Sequence, residues 1–369
     1  MCIRDRFTVE LEPTWQVATV LASFAAGWIS WRFIERPFRV PVRVGGMGQG
    51  RIFALSGVGM AVLGGLAAVS VVTQGLPQRF SAEQNRLVQS ISRFQPAEEC
   101  FGQRARNRPC LFGAKNAPVR WVLWGDSHAK SILPALDILA RRADIGLMFI
   151  SAPSCPPMPG LMEFDPGQFF ARCIAQRQND LARIEAQDSV DTVFLAARWT
   201  KYVEGTTLAI EAGAETVFYT AAAGKPGQAD ISQNPAVVLA SLTALRDRFL
   251  SRGQKLVLLG TVPEIPWNVA DRLMASVLFN VPMPAAVGLS DVMTRQAQSD
   301  AVLTEVAQAP NTFYIPLTPQ ICRPSCPTHE MDTALYRDNH HLTAEGARRL
   351  VLPILERALA DSLVATEKP

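Results

Sequence analysis

The sequence predicts an α/β domain built on a mostly parallel sheet between helical layers, preceded by two transmembrane helices. Three observations carry the prediction. Hydrophobic residues make up 48 % of the chain, a high share for a purely soluble protein, and the excess lies before about residue 75. Beyond it, short apolar runs alternate with helical stretches, which is the pattern of a parallel sheet covered by helices. No internal repeat interrupts the alternation.

The opening Met1-Cys2-Ile3-Arg4-Asp5-Arg6 lacks the apolar stretch and cleavage site of a signal peptide and reads as an assembly artefact, so it is left out of the fold and the chain is expected to start in mid-protein. The first span, about 14–31, is uncharged and carries tryptophans toward both ends, as interfacial anchors do. A loop over 32–51 follows, with Arg32, Arg36, Arg39, Arg43 and Arg51 against the single acid Glu35. Short arginine-rich loops stay in the cytoplasm, so both flanks are expected outside. The second span, 52–74, is uncharged and holds Gly57, Gly59, Gly64 and Gly65, small residues that let another helix approach. Residues 75–97 read as a linker and 98–369 as the globular domain.

Strands are expected at 119–124, 146–151, 192–197, 255–261 and 312–315, with helices such as 129–143, 235–251 and a terminal one at 344–360. A net charge of only +3 argues against a nucleic-acid partner. Setting Cys2 aside, six cysteines remain in a segment expected to be extracytoplasmic, where oxidation is favoured. Proximity pairs Cys100 with Cys110, Cys155 with Cys173, and Cys322 with Cys326. The spacings lack the paired units of a zinc site, and neither metal nor cofactor is expected in this fragment.

The first strand ends in Trp124-Gly125-Asp126-Ser127-His128 with a helix directly behind it. A serine there sits at the carboxyl edge of the sheet, where open α/β folds place ligands, beside amides able to hold a developing negative charge. Asp126 or Ser127 can instead simply cap the helix. The second element is Tyr336-Arg337-Asp338-Asn339-His340-His341-Leu342-Thr343, just before the terminal helix. A serine hydroxyl needs an imidazole to take its proton, and the imidazole needs an acceptor on its other nitrogen. His128 either lines the cleft or supports it by hydrogen bonding.

Two resemblances sharpen this. Trp31-Arg32-Phe33-Ile34-Glu35-Arg36-Pro37-Phe38-Arg39 resembles the end of the membrane domain of the acyltransferase-three family, whose members modify cell-surface sugars. The resemblance implies that residues 1–51 are the truncated end of that domain, that further membrane helices precede them, and that acyl-CoA is the donor on that missing part. Gly125-Asp126-Ser127 together with Asp338-x-x-His341-Leu342 resembles the first and last blocks of SGNH hydrolases, which implies a flavodoxin-like three-layer fold, Ser127 as nucleophile, and His341 and Asp338 as its partners. His341 precedes a leucine as in the family, and His340 is then expected to be a solvated neighbour. The family's Gly-x-Asn-Asp stretch is absent, and the corresponding strand ends Ala196-Ala197-Arg198-Trp199, as in SGNH domains fused to acyltransferase-three domains.

Gly125, Asp126, His128, Arg198 and Trp199 are therefore the oxyanion or substrate candidates. Arg198 can serve the oxyanion or hold a carboxylate, and Trp199 or Tyr202 can stack on a sugar unless Trp199 is core. The expected function is O-acylation, commonly O-acetylation, of an envelope glycan such as lipopolysaccharide or exopolysaccharide, at the inner membrane with the domain in the periplasm. The alternatives are an extracytoplasmic carbohydrate esterase and a non-catalytic glycan-binding domain. The expected partners are that glycan, the lipid bilayer and the missing helices.

Overall fold

A computed structural model describes residues 13–36, 48–73, 75–92, 100, 110–164, 169–208, 217–220 and 230–364. The opening hexapeptide, Arg39 and Arg43 of the basic loop, residues 93–97 of the expected linker and the last five residues lie outside the described residues. The chain divides into two compact units, 1–85 and 86–369.

In the first unit, helix α1 (Pro13–Ile29) runs on into a π-helical stretch (Ser30–Glu35), and α2 spans Gln49–Val72. Both helical segments are long and apolar enough to cross a bilayer. At 1.5 Å per residue α2 is roughly 36 Å long, enough for a hydrocarbon core of about 30 Å. No described residue of α2 is buried, and Val72 is 82 % exposed, so these apolar surfaces need a covering other than their own unit.

The second unit is an α/β domain. Helix α3 (Ala82–Ser92) falls inside the segment read as linker, yet it buries Leu87 in the core, and Ser90 Oγ accepts the Ala334 amide at 2.9 Å. Then come β1 (Cys110–Gly113), β2 (Val119–Gly125), α4 (Ser127–Arg142), β3 (Gly146–Ser151), β4 (Leu161–Phe164), α5 (Phe169–Glu185) and β5 (Thr192–Ala196). After these follow α6 (Trp199–Val203), β6 (Val217–Thr220), α7 (Asn234–Leu250), β7 (Lys255–Leu259), α8 (Val269–Phe279), α9 (Leu289–Val306) and β8 (Thr312–Ile315). The chain closes with α10 (Thr318–Ile321), the two-residue strands β9 (His329–Glu330) and β10 (Thr333–Ala334), α11 (Ala344–Gly346), a π-helical turn (Ala347–Val351) and α12 (Leu352–Val364).

The main sheet has the order β1-β3-β2-β5-β7-β8, all neighbours parallel except the edge pair β1 and β3. Parallel strands need both faces covered, and strand alternation delivers this. Trp121 and Leu123 of β2 join one apolar cluster with Ile132, Leu133 and Leu136 of α4 and Leu355 of α12. Val122 and Trp124 join the other, with Ile184 of α5, Leu242 of α7 and Leu303 of α9. In register, Gly125 lies level with Ser151 on one side and Ala196 on the other, so the three central strands end together at the carboxyl edge.

The strands at 146–151 and 312–315 fall where expected, and the other three shift by one or two residues at their ends. β1, β4 and β6 were not expected. Each has only four residues, and β1 is an antiparallel edge with no buried alternating run. The terminal helix carries a π-helical turn and extends four residues past 360.

Candidate active site

Ser127 opens α4 immediately after β2. Gly125 makes that turn feasible, because a Cβ there would lie 1.7 Å from the Ala196 carbonyl oxygen of the adjoining strand. Asp126 caps α4, its Oδ1 accepting the His128 amide at 2.8 Å. Its Oδ2 accepts the Arg198 amide at 3.1 Å and the Tyr202 hydroxyl at 2.7 Å. At 1 % exposure this carboxylate is a structural tie between the ends of β2 and β5 and is closed off from solvent.

The Asp-x-x-His segment closes on itself. Tyr336 and Leu342 form a bridge, and Thr343 Oγ1 accepts the Gly346 amide at 2.9 Å to cap α11. Asp338 Oδ1 accepts the amides of His340 at 2.9 Å and His341 at 2.7 Å. This leaves Oδ2 turned to His341 Nδ1 at 2.7 Å, while His341 Nε2 lies 2.7 Å from Ser127 Oγ. A carboxylate only accepts, so His341 carries its proton on Nδ1 and the Ser127 hydroxyl donates to Nε2. Burial would raise the Asp338 carboxyl, but its bond to His341 and the neighbouring imidazoles hold it below the ordinary carboxylate range.

The structure thus brings Ser127, His341 and Asp338 together, and it moves several expected site residues elsewhere. Trp199 is fully buried, its indole N–H donating to the Leu259 carbonyl at 2.7 Å, so it packs the core and presents no face to a sugar. Tyr202, 1 % exposed and held by Asp126, is likewise unavailable for stacking. Arg198 is buried, and its Nε donates to Glu264 Oε1 at 2.5 Å. It holds a carboxylate of the chain itself, and its amide is engaged by Asp126.

His340 is not a solvated neighbour. Its Nδ1 lies 3.1 Å from His128 Nε2, with the two rings within 6° of parallel and joined edge to edge by that bond. His128 is 1 % exposed, and the supporting role is the one it takes. Burial first, then the neighbouring His341 ring and the Arg198 guanidinium, lower the pKa of both imidazoles.

Glu264 was not singled out from sequence. Its second oxygen accepts from Arg295 Nε at 2.9 Å, and Arg295 also donates to Thr206 Oγ1 and O. The next residue, Ile265, donates its amide to the Asn339 carbonyl at 2.8 Å. The loop after β7 therefore grips both the β5 end and the Asp338 loop. The available signal was its place at the carboxyl end of a parallel strand.

The six cysteines form the three expected bonds, Cys100 to Cys110, Cys155 to Cys173 and Cys322 to Cys326.

Among curated proteins none matches the chain. Among solved structures it is similar to the periplasmic domain of a lipopolysaccharide acetyltransferase of Salmonella ser. Paratyphi A, at 15 % identity and a TM-score of 0.49, over 79 % of this chain and 100 % of that one. Residues 97–356 match the family described as the SGNH domain fused to AT3 domains. The parallel sheet and this match over most of its length agree, and the chain belongs to that family of SGNH domains.

Proposed function

We propose that the chain transfers acyl groups, acetyl foremost, to hydroxyls of an envelope glycan through an acyl-Ser127 intermediate. The observation that carries the reading is the unbroken relay from Ser127 Oγ to His341 Nε2 and from His341 Nδ1 to Asp338, two links of 2.7 Å each at the carboxyl edge of the sheet. Ser127 Oγ attacks the acyl carbonyl and its proton passes to His341 Nε2. Asp338 stabilises the resulting imidazolium without taking the proton. The α4 N-terminus offers its positive end to the tetrahedral oxyanion. Collapse expels the donor's leaving group, which takes the proton from His341. A glycan hydroxyl then attacks acyl-Ser127, giving its proton to His341, and Ser127 recovers it as the new ester departs.

Two features favour an acceptor other than water. The family is one of SGNH domains fused to AT3 domains, and the Trp31–Arg39 stretch resembles the end of such a membrane domain. Two apolar helices and an arginine-rich loop between them support a membrane anchor with residues 75–369 on the outer face, a placement with which three disulfides agree. In this reading acyl-CoA supplies the acyl group on the cytoplasmic side, through helices that precede this chain.

The test supplies the full chain in detergent with an activated acetyl ester and either envelope polysaccharide or water alone. Acetylated sugar formed faster than free acetate supports the transferase. Free acetate as sole product, whatever glycan is offered, replaces it with an esterase.

A further inference from the structure

His128 and His340 lie 212 residues apart in sequence and meet beside His341, so that one ring nitrogen from each of the three falls within 4.8 Å of the others. We propose that this trio is a site for a borderline transition-metal ion, Zn²⁺ being the reference case, and that filling it switches the serine off. The inhibitory half rests on the acyl-transfer reading; the binding half does not.

The donors suit the ion. Imidazole nitrogens are good ligands for Zn²⁺ and Cu²⁺, and three of them with one open position make a familiar tetrahedral set. At bond lengths of about 2.0–2.1 Å, two such nitrogens sit roughly 3.3 Å apart. His128 Nε2 and His340 Nδ1 are already 3.1 Å apart, so rotation of the rings, with the shared proton passing by tautomerisation to the far nitrogen of the ring that carries it, converts their hydrogen bond into a shared cation. His341 has the disposition of a metal ligand, its Nδ1 turned to the Asp338 carboxylate and its Nε2 left as the coordinating atom. It and His340 are half-buried, while His128 is buried.

Inhibition follows from one lone pair. The Nε2 electrons that coordinate the metal are those that must receive the Ser127 proton, and they cannot do both. Metal-bound and active forms exclude each other, and chelation restores activity without any redox step. The nearby positive charges of Arg198 and Lys201 oppose a dication, while Asp126 and Asp338 favour it.

The experiment uses the tag-free full chain in detergent as wild type, Ser127→Ala and His340→Gln. Zinc affinity is read by competition with a chromophoric chelator, Co²⁺ binding by its visible d–d bands, and turnover with an activated ester. Ser127→Ala is expected to bind zinc at least as tightly as wild type, and His340→Gln at least about tenfold more weakly. Zinc should inhibit wild-type turnover, EDTA should restore it, and the inhibitory concentration should rise by a similar factor in His340→Gln. Equal zinc affinity in His340→Gln and wild type overturns the site. If His340→Gln does not fold, absence of d–d bands in cobalt-treated wild type overturns it alone. Zinc bound as expected with no turnover in any form retains the site and removes the acyl-transfer reading; turnover untouched by bound zinc retains that reading and overturns the switch.

Discussion

In the proposed reaction Ser127, His341 and Asp338 each do a different part of the chemistry, so their removal should differ in cost. Ser127→Ala and His341→Ala each remove a reacting atom, and ester turnover should fall by at least about 10⁴-fold. Asp338→Ala leaves nucleophile and base in place, so its loss should be smaller, by one to two orders of magnitude on the pattern of triads generally. Steady-state rates on an activated ester, with the fold checked by circular dichroism, decide the order. Trp199 separates packing from recognition. Trp199→Phe leaves the Leu259 carbonyl without its donor in a sealed core, at a cost of about 1–3 kcal/mol, and should lower the melting temperature while leaving glycan KM unchanged. A raised KM at unchanged stability would return Trp199 to the sugar site. Ser127, Asp338 and His341 were legible because their two blocks together resemble the first and last blocks of SGNH hydrolases, each pattern being weak alone. The burial of Trp199, the His128–His340 bond and the Glu264 anchor were not, since each depends on which distant strand ends meet.

The elements that the sequence located best are buried runs bracketed by turns, such as Gly146–Ser151, which is fully buried along its length. Those it missed are short, and their partners are remote: β1 pairs with β3 beyond an intervening strand and helix, and β4 pairs with β6 across more than fifty residues. At the strand-to-helix turn, Gly125→Ala sets a methyl against the backbone of β5 that it cannot displace without opening the sheet, and it should fail to accumulate as folded protein. Normal expression and melting would show that β2 and β5 part more easily than their register suggests. Glu204, which ends α6, tests the electrostatics of the same layer. Burial raises its pKa from 4.5 to about 7, with the Ser299 amide opposing. The folded state therefore keeps a proton that the unfolded chain releases between about pH 4.5 and 7, and stability falls as pH rises through that window. Glu204→Gln should remove this slope, stabilising the protein above pH 7 by on the order of 2 kcal/mol once its partial solvent contact is discounted, and changing little near pH 4. Parallel denaturant curves at the two pH values read the difference; equal shifts at both would contradict it.

At the scale of the molecule, composition alone separated an apolar N-terminal part from a globular remainder, because a bilayer span needs a long uncharged run that no soluble segment here matches. The boundary was less legible, since α3 is polar in sequence and joins the globular unit through a few contacts, chiefly Leu87, Ser90 and Ile91. Oxidation of the three cysteine pairs is expected in cells, and alkaline phosphatase fused after residue 369 should be active; free thiols with an inactive fusion would reverse the orientation. The proposed reaction rests on one covalent state, acyl-Ser127. Its direct measurement is intact-mass and peptide mass spectrometry of the full chain, acid-quenched shortly after mixing with an activated acetyl ester. One acetyl group should appear on the peptide containing Ser127 and vanish on longer incubation, with none on Ser127→Ala. Acetylation that persists unchanged in Ser127→Ala, or ester turnover with no adduct on wild type and full activity in the variant, would contradict the account.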